Sequence, residues 1–145
     1  MSQAATIYVD GASHGNPGPA GIGAVLQASD GQPIAKLYKY LGETTNNIAE
    51  YLALVYALLE AQRRGIRDVR VRTDSELMAR QLNGEYKVRD GSLRLFHDLI
   101  QTLRASFDSC TVEHIGREGN AEADRLAGEA VKSRLQTAFA LKVVS

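Results

Sequence analysis

The chain has 145 residues, which is the size of one domain and enough to bury a hydrophobic core without disulfides or a structural metal. Hydrophobic residues make up 44% and charged residues 23%, as in an ordinary soluble domain, and no apolar run approaches the ~20 residues that a membrane span needs. The 17 basic and 17 acidic residues cancel, so the composition excludes a strongly basic nucleic-acid-binding domain.

The first residues and the cysteine count indicate the compartment. The segment MSQAATIYVD has neither the basic start nor the apolar stretch of a signal peptide. The single cysteine, Cys110, allows no internal disulfide and offers no thiolate metal cluster. We therefore expect a cytoplasmic, monomeric protein without membrane contact or an obligate protein partner, in which Cys110 is buried and unreactive.

The first third of the chain predicts three antiparallel strands. The run IYVD ends on Asp10 and is followed by a loop rich in glycine and proline, as at the end of a buried strand. Residues 20–29 and 33–41 are rich in β-forming side chains and are separated by Asp30 and Gly31, which form a hairpin turn pair.

A long amphipathic helix follows these strands. It starts at Thr44 or Thr45 and ends at Gly65. Apolar residues recur along it at helical spacing, at Ile48, Leu52, Val55 and Leu59. This is the most strongly patterned helix of the chain.

The middle of the chain predicts a strand and a short helix. Residues 66–74 alternate apolar and charged side chains, as a half-exposed strand does, and this strand also ends on an aspartate, Asp74. Residues 75–84 predict a short helix that closes at Gly84.

The last third predicts a helix, a strand and a final helix. Ser92 caps the helix over residues 93–107, in which leucines recur every fourth residue at positions 95, 99 and 103. Residues 110–115 predict a fifth strand. Asn120 then caps a helix whose apolar face holds Ala123, Leu126, Ala127 and Ala130.

This order of elements predicts an α/β fold. We expect a five-stranded mixed sheet, with three antiparallel strands followed by two parallel strands, and helices on both faces. The domain is predicted to span residues 1–134. Residues 135–145 are left as a C-terminal tail that is either an extra edge strand or flexible.

Four carboxylates are expected to meet at one end of this sheet. Asp10 and Asp74 both end strands, so they emerge side by side if these strands are parallel neighbours. Glu50 lies in the first turns of the first long helix, and Asp124 occupies the equivalent place in the last helix. Acids this close repel and raise one another's pKa values unless cations lie between them.

Ligands that offer only oxygen suit Mg²⁺ or Mn²⁺ rather than zinc. Two such ions roughly 4 Å apart stabilise the attacking and leaving oxygens of an in-line phosphoryl displacement. The alternative is that the four acids are unrelated surface charges and helix-start residues, which the helix macrodipole favours in any case. Topology alone leaves both interpretations open.

Four motifs, taken together, resemble the type 1 ribonuclease H family. They are DGASHGNPGPAG (residues 10–21), TTNNIAEYLAL (44–54), VRTDSELMARQLNG (71–84) and HIGREGNAEADRLA (114–127). The resemblance covers residues 6 to 134, with the motifs in the family's order. It implies a ribonuclease H-like fold and an endonuclease that hydrolyses the RNA strand of RNA/DNA hybrids.

The resemblance also implies the cofactor. Asp10, Glu50, Asp74 and Asp124 match the ligands of two Mg²⁺ ions, for which Mn²⁺ substitutes, and the family's products carry a 5′-phosphate and a 3′-hydroxyl. Two bound Mg²⁺ would move the formal net charge from 0 to about +4, concentrated where the phosphate sits. A chain that is neutral by composition then has a cationic active surface.

Several polar positions match the family's substrate-binding residues, namely Gly11, Asn16, Thr45, Asn46, Asn47 and Asn120. Amide side chains donate and accept, which suits the 2′-hydroxyls and base edges of the wide minor groove of a hybrid. For Asn46 and Asn47 the alternative is ordinary helix-start chemistry, and for Asn16 it is a turn residue before Pro17.

The segment GREGN departs from the family, many of whose members carry a mobile histidine before the last acid. Arg117 stands nearest that place and resembles the arginine of a short-loop subgroup. An arginine stays protonated, so it stabilises charge on phosphate and does not act as a base. The alternative for Arg117 is a solvent-exposed loop residue, and His114 is expected to be structural.

The chain also lacks the basic, tryptophan-rich handle with which many bacterial members grip DNA. It contains no tryptophan, and NGEYKVRDGSL connects its helices directly. Grip is then expected from Lys87 and Arg89 or from the tail, although such charges are often simply a solvated face. Glu43 replaces a frequent arginine, which predicts weaker binding and looser discrimination between hybrid and double-stranded RNA.

Two other classes of function stay open at this point. A non-catalytic module that binds hybrid or RNA through metal-holding carboxylates is the first alternative, and the complete set of four acids argues against it. A DNA-cutting relative of the same fold is the second. The asparagines, which suit a 2′-hydroxyl, argue against that one.

Overall fold

The computed structural model describes residues 3–133 and 142–144. In chain order the elements are β1 (Ala4–Ser13), β2 (Gly18–Ala28), β3 (Pro33–Thr44), α1 (Asn46–Arg63), β4 (Asp68–Thr73), α2 (Glu76–Leu82), α3 (Gly91–Ala105), β5 (Ser109–His114), a 3₁₀ turn (Arg117–Asn120), α4 (Ala121–Lys132) and β6 (Lys142–Val144). All five predicted strands and all four predicted helices are therefore present.

The strands form one mixed sheet in the order β5-β4-β1-β2-β3-β6. β1, β2 and β3 are antiparallel neighbours, while β4 lies parallel to β1, and β5 parallel to β4. This confirms the predicted three antiparallel and two parallel strands and the ribonuclease H-like arrangement.

A sixth strand is added at the edge of the five predicted strands, in line with one of the two alternatives for the C-terminal tail. β6 pairs antiparallel with β3, with Val143 opposite Leu37. The reason is that β3 would otherwise be an edge strand with open hydrogen-bonding groups, which a short β-branched segment can pair. The edge-strand alternative for the tail holds for residues 142–144. The predicted domain end at residue 134 lies outside the described residues.

Helices cover both faces of the sheet. On one face, α1 packs on β1 and β2, and α3 packs on α1, around a core that includes Ile7, Val9 and Ile22. On the other face, α4 lies directly on β2, where a Cβ on Gly23 would collide with the Ala123 carbonyl oxygen. The two helices therefore meet the central strands from opposite sides.

The ends of α1 and α2 agree with the sequence. Thr45 caps α1, with its Oγ1 accepting from the Ile48 N–H at 3.2 Å. Gly65 and Gly84 follow α1 and α2 with φ values of 75° and 79°, which a side chain would disfavour.

The start of α3 was predicted wrongly. Asp90, not Ser92, is the N-cap, and its carboxylate accepts from the Leu93 N–H at 3.0 Å. The buried face of α3 also differs from the leucine repeat. Leu95 and Leu99 are 73% and 43% exposed, whereas Leu93 and Ile100 are buried. The core stripe runs through positions 93, 96, 100 and 103, which alternate spacings of three and four residues.

No helix in the described ranges is long and apolar enough to cross a membrane. Cys110 is half-buried in β5. Burial raises the pKa of its thiol, and the neighbouring Arg104 guanidinium opposes that shift.

Candidate active site

All four predicted carboxylates line one cavity at the end of the central strands. In the parallel pair β1–β4, Val9 lies opposite Thr73, so the next residues, Asp10 and Asp74, lie side by side where this pairing stops. The predicted strand end at Asp10 is wrong, because β1 continues to Ser13 through its pairing with β2. This cavity, here called the carboxylate cavity, measures about 220 Å³ and is lined by Asp10, Gly11, Ala12, Asn46, Glu50, Asp74, Arg117 and Asp124.

Three of these acids form a tight group. One carboxylate oxygen from each of Asp10, Glu50 and Asp74 lies within 4.8 Å of the others. Asp124, from α4, lines the same cavity and is close enough to raise the pKa of Asp10. The helices on the two faces of the sheet thus contribute one acid each, and the strands β1 and β4 carry the other two.

Glu50 is held from the backbone of β1. The Gly11 N–H donates to Glu50 Oε1 at 2.6 Å, in a buried hydrogen bond between residues that are far apart in the chain. A Cβ on Gly11 would collide with the backbone of Ala49, so only glycine lets α1 approach this closely. The glycine that follows Asp10 in β1 therefore positions the second carboxylate.

The cavity is electrostatically unfavourable by itself. Burial raises the pKa of Asp10 to about 9, with further contributions from Glu50, Asp74 and Asp124. Burial also raises the pKa of Glu50 to about 8, and Asp74 adds to this shift, whereas the Gly11 N–H and the Arg117 guanidinium oppose it. Without a cation, the raised pKa values of these two neighbouring carboxyls favour proton uptake by the pair.

The donor set fits a hard divalent cation. Every anionic group that lines the cavity offers carboxylate oxygen, and no histidine or cysteine among the described residues lines it. Two of these acids are 5% and 6% exposed, so a bound ion would replace protons and remove the repulsion between the carboxylates.

A polar rim lies beside the carboxylates at the start of α1. Asn46 lines the cavity, and both Asn46 and Asn47 are exposed. Asn16, in the turn after β1, is also exposed, and its Oδ1 accepts from the Asn46 N–H at 3.1 Å. With Thr45 as the cap of α1, the structure brings four of the predicted substrate-binding residues together.

The other two predicted substrate-binding residues are buried. The Gly11 N–H is already used by Glu50. Asn120 is 1% exposed, and its Nδ2 donates to the Val9 carbonyl at 2.8 Å. Asn120 occupies the N-cap position of α4, but its side chain makes no capping hydrogen bond, so the predicted side-chain cap is wrong.

Arg117 belongs to the carboxylate cavity and His114 does not. Arg117 opens the 3₁₀ turn as an exposed residue, but it lines the cavity and its charge lowers the pKa of Glu50. His114 ends β5 and lines a different, smaller cavity with Glu76 and Arg80.

A second, larger cavity lies at the far end of α2, and we call it the basic cavity. It measures about 840 Å³, and its lining includes Tyr86, Lys87, Arg89, Arg94 and His97. Within the described ranges, the side chains of Lys87, Arg89 and Arg94 form no ion pair, whereas most other arginines do. The sequence marked this charge group but did not indicate that it encloses a cavity.

Comparison with known proteins places the chain in a family. A family model described as reverse transcriptase-like matches residues 8–130. The ribonuclease HI of Halobacterium salinarum is 43% identical over 124 residues, which cover 86% of this chain and 62% of that protein. The bifunctional protein Rv2228c of Mycobacterium tuberculosis is 38% identical over 135 residues, but the chain spans only 37% of its length.

Solved structures agree over nearly the whole fold. The N-terminal RNase H domain of the mycobacterial protein is 37% identical, with a TM-score of 0.89 over 93% of this chain and 98% of that one. LC11-RNase H1, recovered from compost by a metagenomic approach and solved in complex with an RNA/DNA hybrid, is 42% identical, with a TM-score of 0.87 over 91% of this chain and 99% of that one. On this evidence, the chain belongs to the type 1 ribonuclease H family.

Proposed function

We propose that this chain is an endoribonuclease that hydrolyses the RNA strand of RNA/DNA hybrids and leaves 5′-phosphate and 3′-hydroxyl ends. The observation that carries the proposal is the meeting of Asp10, Glu50, Asp74 and Asp124 in one cavity. Family membership supports the reaction, and the relative solved with an RNA/DNA hybrid supports the substrate.

The four carboxylates would hold two Mg²⁺ ions, with Mn²⁺ as a substitute. When bound, such ions lower the pKa of an attacking water and stabilise the departing oxygen of an in-line phosphoryl displacement. The chain itself supplies fixed ligands. Gly11 orients Glu50, and the paired ends of β1 and β4 fix Asp10 beside Asp74.

The lining of the carboxylate cavity favours direct attack by water. Among the described residues, no serine, threonine, cysteine, lysine, tyrosine or histidine lines it, and its four carboxylates would be occupied as cation ligands rather than free as nucleophiles. Arg117 is the one cationic side chain that the described part of the chain contributes to this lining. Because arginine stays protonated, we assign Arg117 the role of stabilising charge on the phosphate that enters next to Glu50.

Recognition of the RNA strand falls to the rim around the start of α1. The exposed amides of Asn46 and Asn47 can donate to and accept from 2′-hydroxyls and base edges. Asn16 supports this rim through its bond to the Asn46 N–H, and Thr45 does so by capping the same helix.

The basic cavity is the proposed contact for the DNA strand. α2 starts directly after Ser75, next to Asp74, and its seven residues are about 10 Å long, so the unpaired cations lie a few phosphates from the reacting one. Lys87, Arg89 and Arg94 would then replace the missing basic insertion through contacts to the phosphate backbone of the DNA strand alone.

We also propose that double-stranded RNA is a second, poorer substrate. The exposed Glu43 and the small number of cations near the DNA strand weaken selection of DNA over RNA. A monomeric state and a cytoplasmic location complete the proposal. They rest on the sequence with its single cysteine.

The test is one end-labelled sequence presented as hybrid, double-stranded RNA, single-stranded RNA and double-stranded DNA. Each of the four substrates is incubated with Mg²⁺, Mn²⁺ or a chelator, and Asp10→Asn is assayed in parallel with the wild-type chain. We expect metal-dependent cutting of hybrid, slower cutting of double-stranded RNA, and no cutting of DNA. Hybrid that is bound but left intact by the wild-type chain would favour the non-catalytic binding module instead.

A further inference from the structure

Asn120 is an unusual buried residue of this fold. It is 1% exposed, and its Oδ1 is the one buried side-chain oxygen or nitrogen without a hydrogen-bond partner among residues 3–133 and 142–144. Buried polar groups are normally satisfied, so an unsatisfied one calls for a reason. An alanine or leucine at this position would avoid the unsatisfied atom altogether.

The other end of the same amide makes a long-range contact. Nδ2 donates to the Val9 carbonyl at 2.8 Å, across 111 positions of sequence. Val9 is the residue before Asp10, and Asn120 lies one helical turn before Asp124. The hydrogen bond thus joins β1 and α4 next to the two carboxylates that these elements contribute.

β1 is fixed from both sides at this point. On the α1 side, the Gly11 N–H holds Glu50, and on the α4 side, the Val9 carbonyl is held by Asn120. Asp10 lies between these two bonds. Elsewhere α4 packs closely on β2, as where Ala123 lies against Gly23, and such contacts define its distance from the sheet but not its direction. A second directional contact, from Lys36 Nζ to Glu122 Oε2 at 2.6 Å, joins α4 to β3 and not to β1.

We propose that Asn120 is a positioning residue: it fixes Asp10 relative to Asp124 through the Val9 carbonyl and does not touch the substrate. This inference rests on the proposed function, since it concerns the geometry of the same carboxylates. It replaces the substrate-binding role that the sequence suggested for Asn120. Burial leaves no face of this side chain open to a nucleic acid.

Two variants separate positioning from a general structural role. Asn120→Leu keeps the branched shape of the side chain with two larger methyl groups, and it removes both the donor and the unsatisfied oxygen. Losing the donor leaves the Val9 carbonyl without this partner, whereas losing the unsatisfied oxygen is favourable, so we expect an unfolding temperature in chelator close to that of wild type. Asn120→Ala removes the donor and leaves a void. The matched control is Asn83→Ala, which deletes another amide bond to a strand carbonyl, from Asn83 Nδ2 to the Val112 carbonyl at 3.0 Å, away from the four acids.

The measurements are kcat and KM on hybrid, Mn²⁺ affinity by calorimetry without nucleic acid, and unfolding temperature in chelator. For both Asn120 variants, we expect kcat and Mn²⁺ affinity to fall roughly 10-fold or more, as for groups that orient metal ligands, with KM within about twofold of wild type. Asn83→Ala should leave kcat and Mn²⁺ affinity within about twofold.

Three results would overturn the inference. The first is a rise in KM with Mn²⁺ affinity unchanged, which indicates substrate contact. The second is a fall in unfolding temperature with kcat and Mn²⁺ affinity unchanged. The third is loss of folding in both Asn120 variants. A wild-type chain that cleaves nothing would refute the proposed function by itself. The Mn²⁺ comparison would still decide the role of Asn120, because it requires no turnover.

Discussion

The carboxylate cavity and the basic cavity lie at opposite ends of α2 and hold charge in opposite ways. In the first, buried acids of one sign are fixed by backbone bonds and shifted in pKa. In the second, unpaired cations are exposed on the segment between α2 and α3 and on the first turn of α3. Buried like charges are costly without a ligand, whereas exposed ones cost little. The first cavity should therefore govern catalysis, and the second only affinity.

The largest effect on activity is expected from Asp10→Asn. The substitution keeps the shape of the side chain but removes a carboxylate that is 5% exposed and central to the group. We expect hybrid cleavage to fall more than about 10³-fold, equivalent to roughly 4 kcal/mol of transition-state stabilisation. Initial rates at saturating Mg²⁺ measure this. A loss below tenfold would show that Asp10 is not an essential ligand.

The backbone contact behind Glu50 is tested by Gly11→Ala. The added Cβ collides with the backbone of Ala49, so α1 must shift and Glu50 must move. We expect the free energy of unfolding to fall by about 2–4 kcal/mol and cleavage to fall with it. Urea unfolding followed by circular dichroism gives the first quantity.

Gly128→Ala is the matched control for that substitution. Gly128 lies inside α4, and nothing stands within 4 Å of the Cβ that alanine would add. Replacing a helical glycine there should raise the free energy of unfolding by up to about 1 kcal/mol. Equal destabilisation by both substitutions would contradict the account of Gly11.

The raised pKa values predict how stability depends on pH in the absence of metal. Asp10 and Glu50 titrate near 9 and 8 when folded, against ordinary values of 3.8 and 4.5, so the folded state keeps protons that the unfolded state releases. Stability from these groups is complete below about pH 4 and is lost as the pH rises to about 9.

Urea unfolding in chelator at pH 5.5 and 8.5 measures this effect. The free energy of unfolding should be lower at pH 8.5 by more than about 1 kcal/mol, and saturating Mg²⁺ or Asp10→Asn should reduce that difference. A higher stability at pH 8.5 in chelator would have the wrong sign and would contradict the raised pKa values.

The smallest effect is expected in the basic cavity. The double variant Lys87→Gln with Arg89→Gln should weaken binding of hybrid about 3- to 10-fold at low salt and reduce the slope of log affinity against log salt by about 1 to 2. Filter binding in chelator across salt concentrations measures both quantities. Arg70→Gln is the control, because Arg70 is exposed on β4, about 13 Å of strand before Asp74. An equal loss in the control would show that only net charge matters.

Much of the site was predictable because strand ends and helix starts are encoded locally. The strand that carries Asp10, the strand that ends before Asp74 and the helix that starts after Thr45 follow from local patterns, and parallel pairing then brings the acids together. The continuation of β1 beyond Asp10 to Ser13 does not follow from them, because it depends on pairing with β2. The four-motif resemblance turned the possible meeting of the four carboxylates into a specific prediction of one shared metal site. Its substrate-binding set, however, did not distinguish exposed Asn46 from buried Asn120.

The parts that sequence reasoning missed depend on contacts between distant segments. Asn120 looks like an ordinary helix cap until β1 is placed beside it, and the role of Gly11 is visible only when α1 is present. In α3, Asp90 and Ser92 are both good caps, and tertiary packing of Leu93 decides between them. The pairing of β6 with β3 likewise depends on an edge strand 100 residues away.

Calorimetric titration of Mn²⁺ into the metal-free chain near pH 7, in two buffers of different ionisation enthalpy, tests the central claim most directly. If the carboxylate cavity is the cation site, binding must displace the protons held by Asp10 and Glu50, so about one to two protons should be released per chain. Asp10→Asn should weaken binding at least about tenfold, whereas Asp108→Asn, at an exposed ion pair with Arg67, should not. Binding without proton release, or equal binding by Asp10→Asn, would contradict the account.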